Sequence, residues 1–136
     1  MFELADKPLD LAALRAALLN QPAAGALVVF EGWVRNENEG QPVTSLTYEA
    51  AEALCRSEAE KVFLEARAKF GVTGVRVVHR VGHLKVGEVA VWIGVTAGHR
   101  DAAFQGCRYV IDEVKRRLPI WKKEFYEAGP ARWIGS

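Results

Sequence analysis

The segment Glu88–Ala97, "EVAVWIGVTA", decides how the fold is read. It is apolar at nearly every position, so it has no polar face to turn to water. A strand of that composition is covered on both sides and lies centrally in its sheet. Upstream, "GVRVVHRV" (Gly74–Val81) is a second strand, joined to it through "GHLKVG". Downstream, strand alternation gives way to helical spacing. Ala103, Cys107, Val110, Ile111, Val114 and Leu118 form the buried stripe of a helix from about Arg100 to Leu118, which Pro119 ends.

Working outward, Cys55, Ala59, Val62, Phe63, Ala66 and Phe70 fall at helical spacing between Ala51 and Phe70, with Gly71 where a C-cap belongs. "VTSLTYEA" and "ALVVFEGWVR" read as strands. In the latter, alternation puts Val28, Phe30 and Val34 on one face and Leu27, Val29, Glu31, Trp33 and Arg35 on the other. "NENEGQP" between them reads as a mobile polar loop, too long for a tight hairpin. "LDLAALRAALLN" is a first helix with Leu11, Leu14 and Leu18 on one face and Asp10 as its cap. "IWKKEFYEAGPARWI" reads as a short strand, a Gly-Pro turn and a last extended piece. The order predicts an α+β fold, mostly antiparallel in its sheet, with three main helices and a single domain over residues 1–136.

The chain has 136 residues, half of them apolar, and a net charge of +1. No global field draws it to nucleic acid or to an anionic membrane, so an anion site must come from local clustering. "MFELADKPLD" lacks the apolar core of a secretory signal, and no apolar run is long enough to span a bilayer. With two cysteines, Cys55 and Cys107, and no disulfide framework, the expectation is a cytoplasmic protein. His79 and His83 lie four apart but off any helix, and no metal site is expected. No Gly-rich strand-to-helix fingerprint for a nucleotide is present. The four tryptophans, Trp33, Trp92, Trp121 and Trp133, are read as core residues.

Cationic residues recur at places where chemistry can happen. His99 and Arg100 stand where a strand becomes a helix. The helix dipole there favours an anion, so a basic pair fits a bound anion that also receives free backbone N–H groups. Exposed side chains offset by Asp101 are the plainer alternative. Lys115 follows Ile111 by four and packs its stem along the core boundary, as a snorkelling surface lysine also would. "DEVKRRLPIWKKE" (112–124) sets Pro119, Ile120 and Trp121 between two basic clusters. In a strand, Ile120, Lys122 and Glu124 face one way and Trp121, Lys123 and Phe125 the other. Trp121 is expected to clamp this segment to the body of the protein. Edge-strand lysines that block aggregation would explain the charge but not the anchor.

In their order along the chain, "VFEGWVRNENEG", "YEA", "HRVGHLKVGE", "VTAGHRDAAF" and "DEVKRRLPIWKKE" closely resemble the large, catalytic subunit of molybdopterin synthase, from about Gly25 to Trp133. The resemblance implies an α/β-hammerhead fold and a central homodimer. Each copy would bind a small ubiquitin-like sulfur-carrier subunit, giving a heterotetramer. The carrier's Gly-Gly C-terminus, as a thiocarboxylate, would donate sulfur to cyclic pyranopterin monophosphate and form the molybdopterin dithiolene, with no metal or cofactor of the subunit's own. By the same resemblance Lys115 and Lys122 are catalytic, and Trp33, Val34, Arg35, His99, Arg100, Lys123 and Glu124 bind substrate, with residues of the dimer mate completing the pocket. Ala51, Leu54 and Trp33 depart from the family's usual residues, and the tail after Trp133 is short. The competing reading is a non-enzymatic module that binds a ubiquitin-like tail or a phosphorylated ligand. A nucleic-acid partner would require a basic stripe that is missing.

Overall fold

The computed structural model describes residues 1–135. Its centre is a four-stranded sheet in the order β1-β5-β7-β2. These strands span Phe2–Ala5, Gly74–Arg80, Val89–Ala97 and Ala26–Trp33. β7 is the "EVAVWIGVTA" strand, and it lies inside the sheet with Ala90 to Ala97 all buried. Alternation assigns its two faces. Val91, Ile93 and Val95 join Val75 and Val77 against the two long helices, whereas Trp92 joins Val78 against the first helix.

The long helices are α2 (Glu52–Phe70) and α3 (Arg100–Arg117). Each buries the predicted stripe, Cys55, Ala59, Val62, Phe63 and Ala66 on α2 and Ala103, Cys107, Val110, Ile111 and Val114 on α3. Gly71 closes α2 in the left-handed conformation, at φ 69°. The first helix, α1, covers only Leu11–Ala16. The Asp10 side chain caps it, accepting from the Ala13 N–H at 3.1 Å.

A second, five-stranded sheet lies beside the first. β4 (Gln41–Ala50) pairs antiparallel with β8 (Ile120–Tyr126) and with β6 (Gly82–Lys85), and β8 pairs with β9 (Arg132–Ile134). All its pairings are antiparallel, and in the first sheet only β1 runs parallel to its neighbour, so the predicted α+β class with a mostly antiparallel arrangement holds.

Three local readings need correction. "NENEGQP" is not a loop: β3 (Glu37–Asn38) pairs with the start of β4 across a two-residue turn, Glu39 and Gly40, both at positive φ. That backbone matches the primed turns that close tight hairpins. Asn38 then donates a 2.6 Å hydrogen bond to buried Glu124, which ties the hairpin to the second sheet. Trp121 is 41% exposed and clamps little; the segment is anchored by Leu118 and Ile120, both buried on either side of Pro119. Of the four tryptophans only Trp92 is core, since Trp33 and Trp133 are exposed as well.

Candidate active site

A cavity of about 410 Å³ opens between the first sheet, the C-terminal end of α3 and the second sheet. Its volume suits a small ligand. β2 reaches it with Phe30, Gly32 and Trp33, and Arg35 follows just beyond the strand. Strict alternation would put Trp33 and Arg35 opposite Phe30. The register against β7 shifts between Gly32 and Trp33, a bulge that turns the rest of the strand over and brings both residues to the cavity side. Val34 correspondingly points the other way and is buried with Leu46, Leu84 and Ala90. It holds the bend through its backbone, accepting from the Gly87 N–H at 2.8 Å and donating to the Glu88 carbonyl at 3.0 Å.

α3 supplies Ile111, Val114 and Lys115 to the opposite wall, and β8 supplies Ile120 and Lys122. Lys122 pairs in register with Tyr48 on β4, which also faces the cavity. Among the described residues the lining thus gathers three cations, Arg35, Lys115 and Lys122, and no carboxylate side chain. Among the described residues neither Arg35 nor Lys115 has an ion-pair partner, whereas Lys122 has Glu124 at 3.7 Å. Glu124 lies outside the lining, 4% exposed, and accepts from Asn38 and from the Tyr126 hydroxyl at 2.9 Å. It braces Lys122 and the β3–β4 hairpin together.

The remaining predicted residues fall elsewhere in the single chain. Lys123 sits on the outer face of β8, its ammonium 5.6 Å from the Phe125 ring centre and 5.7 Å from that of Trp133. His99 and Arg100 are exposed at the start of α3. Lys115 lies fifteen positions after Arg100 on the helix, roughly 22 Å along the axis.

Sequence reasoning missed His79 and Tyr48, which both line the cavity. The signal was available for His79, since Val75, Val77 and His79 share the helix-facing side of β5. A polar residue ending an apolar stripe is a site marker when a cavity lies beside it. Its Nδ1 is 2.7 Å from the Arg80 carbonyl oxygen, and its ring stands edge-on to Tyr48 with centroids 4.8 Å apart. Burial pushes the imidazole down to about 4, with the Lys115 charge adding to the effect against the Arg80 hydrogen bond. Burial and the Glu124 charge push the Tyr48 hydroxyl up to about 12.

Comparison with known proteins agrees with this architecture. The family model described as "MoaE protein" matches residues 4–117. The molybdopterin synthase catalytic subunit of Synechococcus elongatus is 44% identical over 133 residues, covering 97% of this chain and 80% of that protein. The crystal structure of molybdopterin synthase from Staphylococcus aureus superposes with a TM-score of 0.91 at 34% identity, over 99% of this chain and 97% of that one. A protein–protein complex of subunits 1 and 2 of molybdopterin-converting factor from Helicobacter pylori superposes with a TM-score of 0.78 at 25% identity, over 93% of this chain and 85% of that one. Fold, site-bearing segments and relatives together show that this chain belongs to the MoaE family, that of the molybdopterin synthase catalytic subunits.

Proposed function

We propose that this chain carries out the sulfur-transfer step of molybdopterin synthesis. It takes sulfur from the C-terminal Gly-Gly thiocarboxylate of a small ubiquitin-like carrier and places it on cyclic pyranopterin monophosphate. The observation that supports this is the cavity itself: among the described residues it has three cations and no carboxylate side chain in its wall, and two of the cations have no ion-pair partner. Both reactants are anions. At about 4 Å their mutual repulsion would cost about 4 kcal/mol at an effective dielectric of about 20. Arg35 suits bidentate contact with the phosphate. Lys115 orients and polarises the thiocarboxyl group and shuttles a proton beside the carrier's last glycine, and Lys122 holds the pterin and stabilises charge that develops as sulfur adds. The carrier's terminal glycines, without side chains, enter the cavity that Trp33, Ile134 and Gly135 help to line.

His99 and Arg100 lie too far along α3 to serve the cavity of their own chain. They reach a cavity only across a homodimer, and we assign them to the partner copy's site, within a heterotetramer of two such chains and two carriers. Lys123 acts from the outer face of β8, where the carrier body can meet it. No helix among the described residues is long and apolar enough to cross a membrane, and we place the reaction in the cytoplasm.

The test is reconstitution with thiocarboxylated carrier and cyclic pyranopterin monophosphate, with the pterin product followed by mass spectrometry. Lys115→Ala and Lys122→Ala should each lower product formation by about a hundredfold or more, as removal of a donor at developing charge does. Near-normal turnover by both variants would refute the assignment. Carrier binding without any product would favour the non-enzymatic module.

A further inference from the structure

We infer that Tyr48 is a further substrate-binding residue: its phenol O–H donates a hydrogen bond to the anionic pterin held beside Lys122. This rests on the reading above that the cavity receives cyclic pyranopterin monophosphate. Tyr48 lines the cavity, and on β4 it stands directly opposite Lys122 of β8. Directly opposed residues of an antiparallel pair send their side chains to the same face, with Cβ atoms about 5 Å apart. The two residues thus reach the cavity from one wall, side by side.

The ring is placed by packing. It lies against the main core and against the smaller cluster of Val34, Leu46, Leu84 and Ala90, and the His79 ring meets it edge-on at 84°. The hydroxyl takes no part in this. Among the described residues it has no hydrogen-bond partner, yet it is not sealed away, since the buried side-chain atoms left unpaired are Arg76 Nε and Arg80 Nε. The accessible space that Tyr48 borders is the cavity. Phenylalanine would pack as well without an O–H that needs water or a ligand. The fold leaves the hydroxyl unused. Its chemistry complements that of the cations. A lysine ammonium is a point charge on a flexible stem, whereas a phenol on a packed ring offers one donor from a fixed place. Burial and the Glu124 charge hold that phenol up to about 12, so it keeps its proton and remains a donor at neutral pH.

The test is equilibrium binding of cyclic pyranopterin monophosphate to the full chain, followed by calorimetry in the wild type and in Tyr48→Phe. The variant should bind about tenfold more weakly, the loss of one hydrogen bond. It should melt no lower than the wild type, because only an unpaired hydroxyl has gone. Equal affinity of the two proteins overturns the inference. So does a loss of affinity that comes with a lower melting temperature, which marks a packing defect instead. Binding needs no carrier, and this separates the inference from the sulfur-transfer reading. A wild type that binds the pterin but forms no product with thiocarboxylated carrier refutes that reading, and Tyr48→Phe still decides this one. A wild type that does not bind the pterin overturns both. Where product forms, kcat/KM for the pterin should fall in Tyr48→Phe by about the same factor. An unchanged kcat/KM overturns the inference as well.

Discussion

Acid should destabilise this protein through His79, and the size of the effect follows from its surroundings. The folded imidazole is held at about 4, against 6.5 for the free side chain. The folded state keeps the neutral form, so between these values the unfolded chain binds more protons than the folded one. The stabilisation is fully present above the unfolded value and is lost as pH falls towards the folded one. The whole interval corresponds to about 3 kcal/mol, of which about 2 kcal/mol is gone by about pH 5. Below pH 4 both states carry the proton and nothing further is lost from this group. Tyr48, pushed up to about 12, does not titrate in this window. The assay is urea denaturation at several pH values on the wild type and on His79→Gln, whose amide does not titrate. The difference in unfolding free energy between the two should shrink by about 2 kcal/mol from neutrality to about pH 5. A difference that stays constant over that range would refute the reasoning, because it would mean that the imidazole is hydrated enough in the folded state to charge at its ordinary pKa.

Two other expectations concern the scaffold that holds the cavity. Arg80 is 4% exposed and paired with Glu88 at 2.9 Å, so Glu88→Gln strands a buried guanidinium and should cost about 3 kcal/mol in urea denaturation; Arg80→Met, which removes the buried charge, should cost less. Leu84 is wholly buried with Val34, Leu46 and Ala90 beneath the bend that carries Trp33 and Arg35, and Leu84→Ala should cost about 3 kcal/mol with an unchanged denaturant slope. A loss below about 1 kcal/mol would mean that the cluster collapses around the gap.

What could be read from the chain was what its own periodicity determines. β7 is apolar on both faces and takes the interior of the sheet; α2 and α3 bury the residues that helical spacing selects. The unread parts depend on partners that no local window contains. β1 is four residues long and exists because Phe2 to Ala5 lie parallel against β5, far along the chain. β3 is two residues long and is held by Asn38 reaching Glu124, 86 positions away. The bulge after Gly32 reverses the faces of the following residues, so the alternation that placed Phe30 correctly misplaced Trp33 and Arg35 relative to it. The tryptophans misled because size predicts burial only where there is an interior to fill; Trp33 ends β2 at the cavity, Trp121 and Trp133 lie on β8 and β9, and all three are exposed. At the site, residue identity pointed to Arg35, Lys115 and Lys122, but the neutral residues beside them, His79 and Tyr48, required knowledge of which strands meet.

The crowding of cations around Pro119 resolves once direction is added to sequence. Arg117 turns to α2 and to its own helix, bonding Glu65 at 2.6 Å and reaching Glu58 and Glu113, each at 3.3 Å; Arg116 donates to Glu113 at 3.0 Å. Those carboxylates hold the two guanidiniums away from the cavity and fasten the end of α3 to α2. Leu118 and Ile120 are both buried, and Pro119 between them converts the helix into a strand that pairs at once with β4, Ile120 opposite Ala50. The chain therefore leaves one wall of the cavity at Lys115 and enters another at Lys122. Lys123 turns outward over Phe125 and Trp133. Five cations close in sequence are thus sent three ways, and the two that remain on the cavity do not share a wall. An anion held between them meets positive charge from two sides, whereas like charges placed side by side on one wall would repel each other with no anion to relieve them. The buried pair flanking the proline, rather than the exposed tryptophan after it, produces that division.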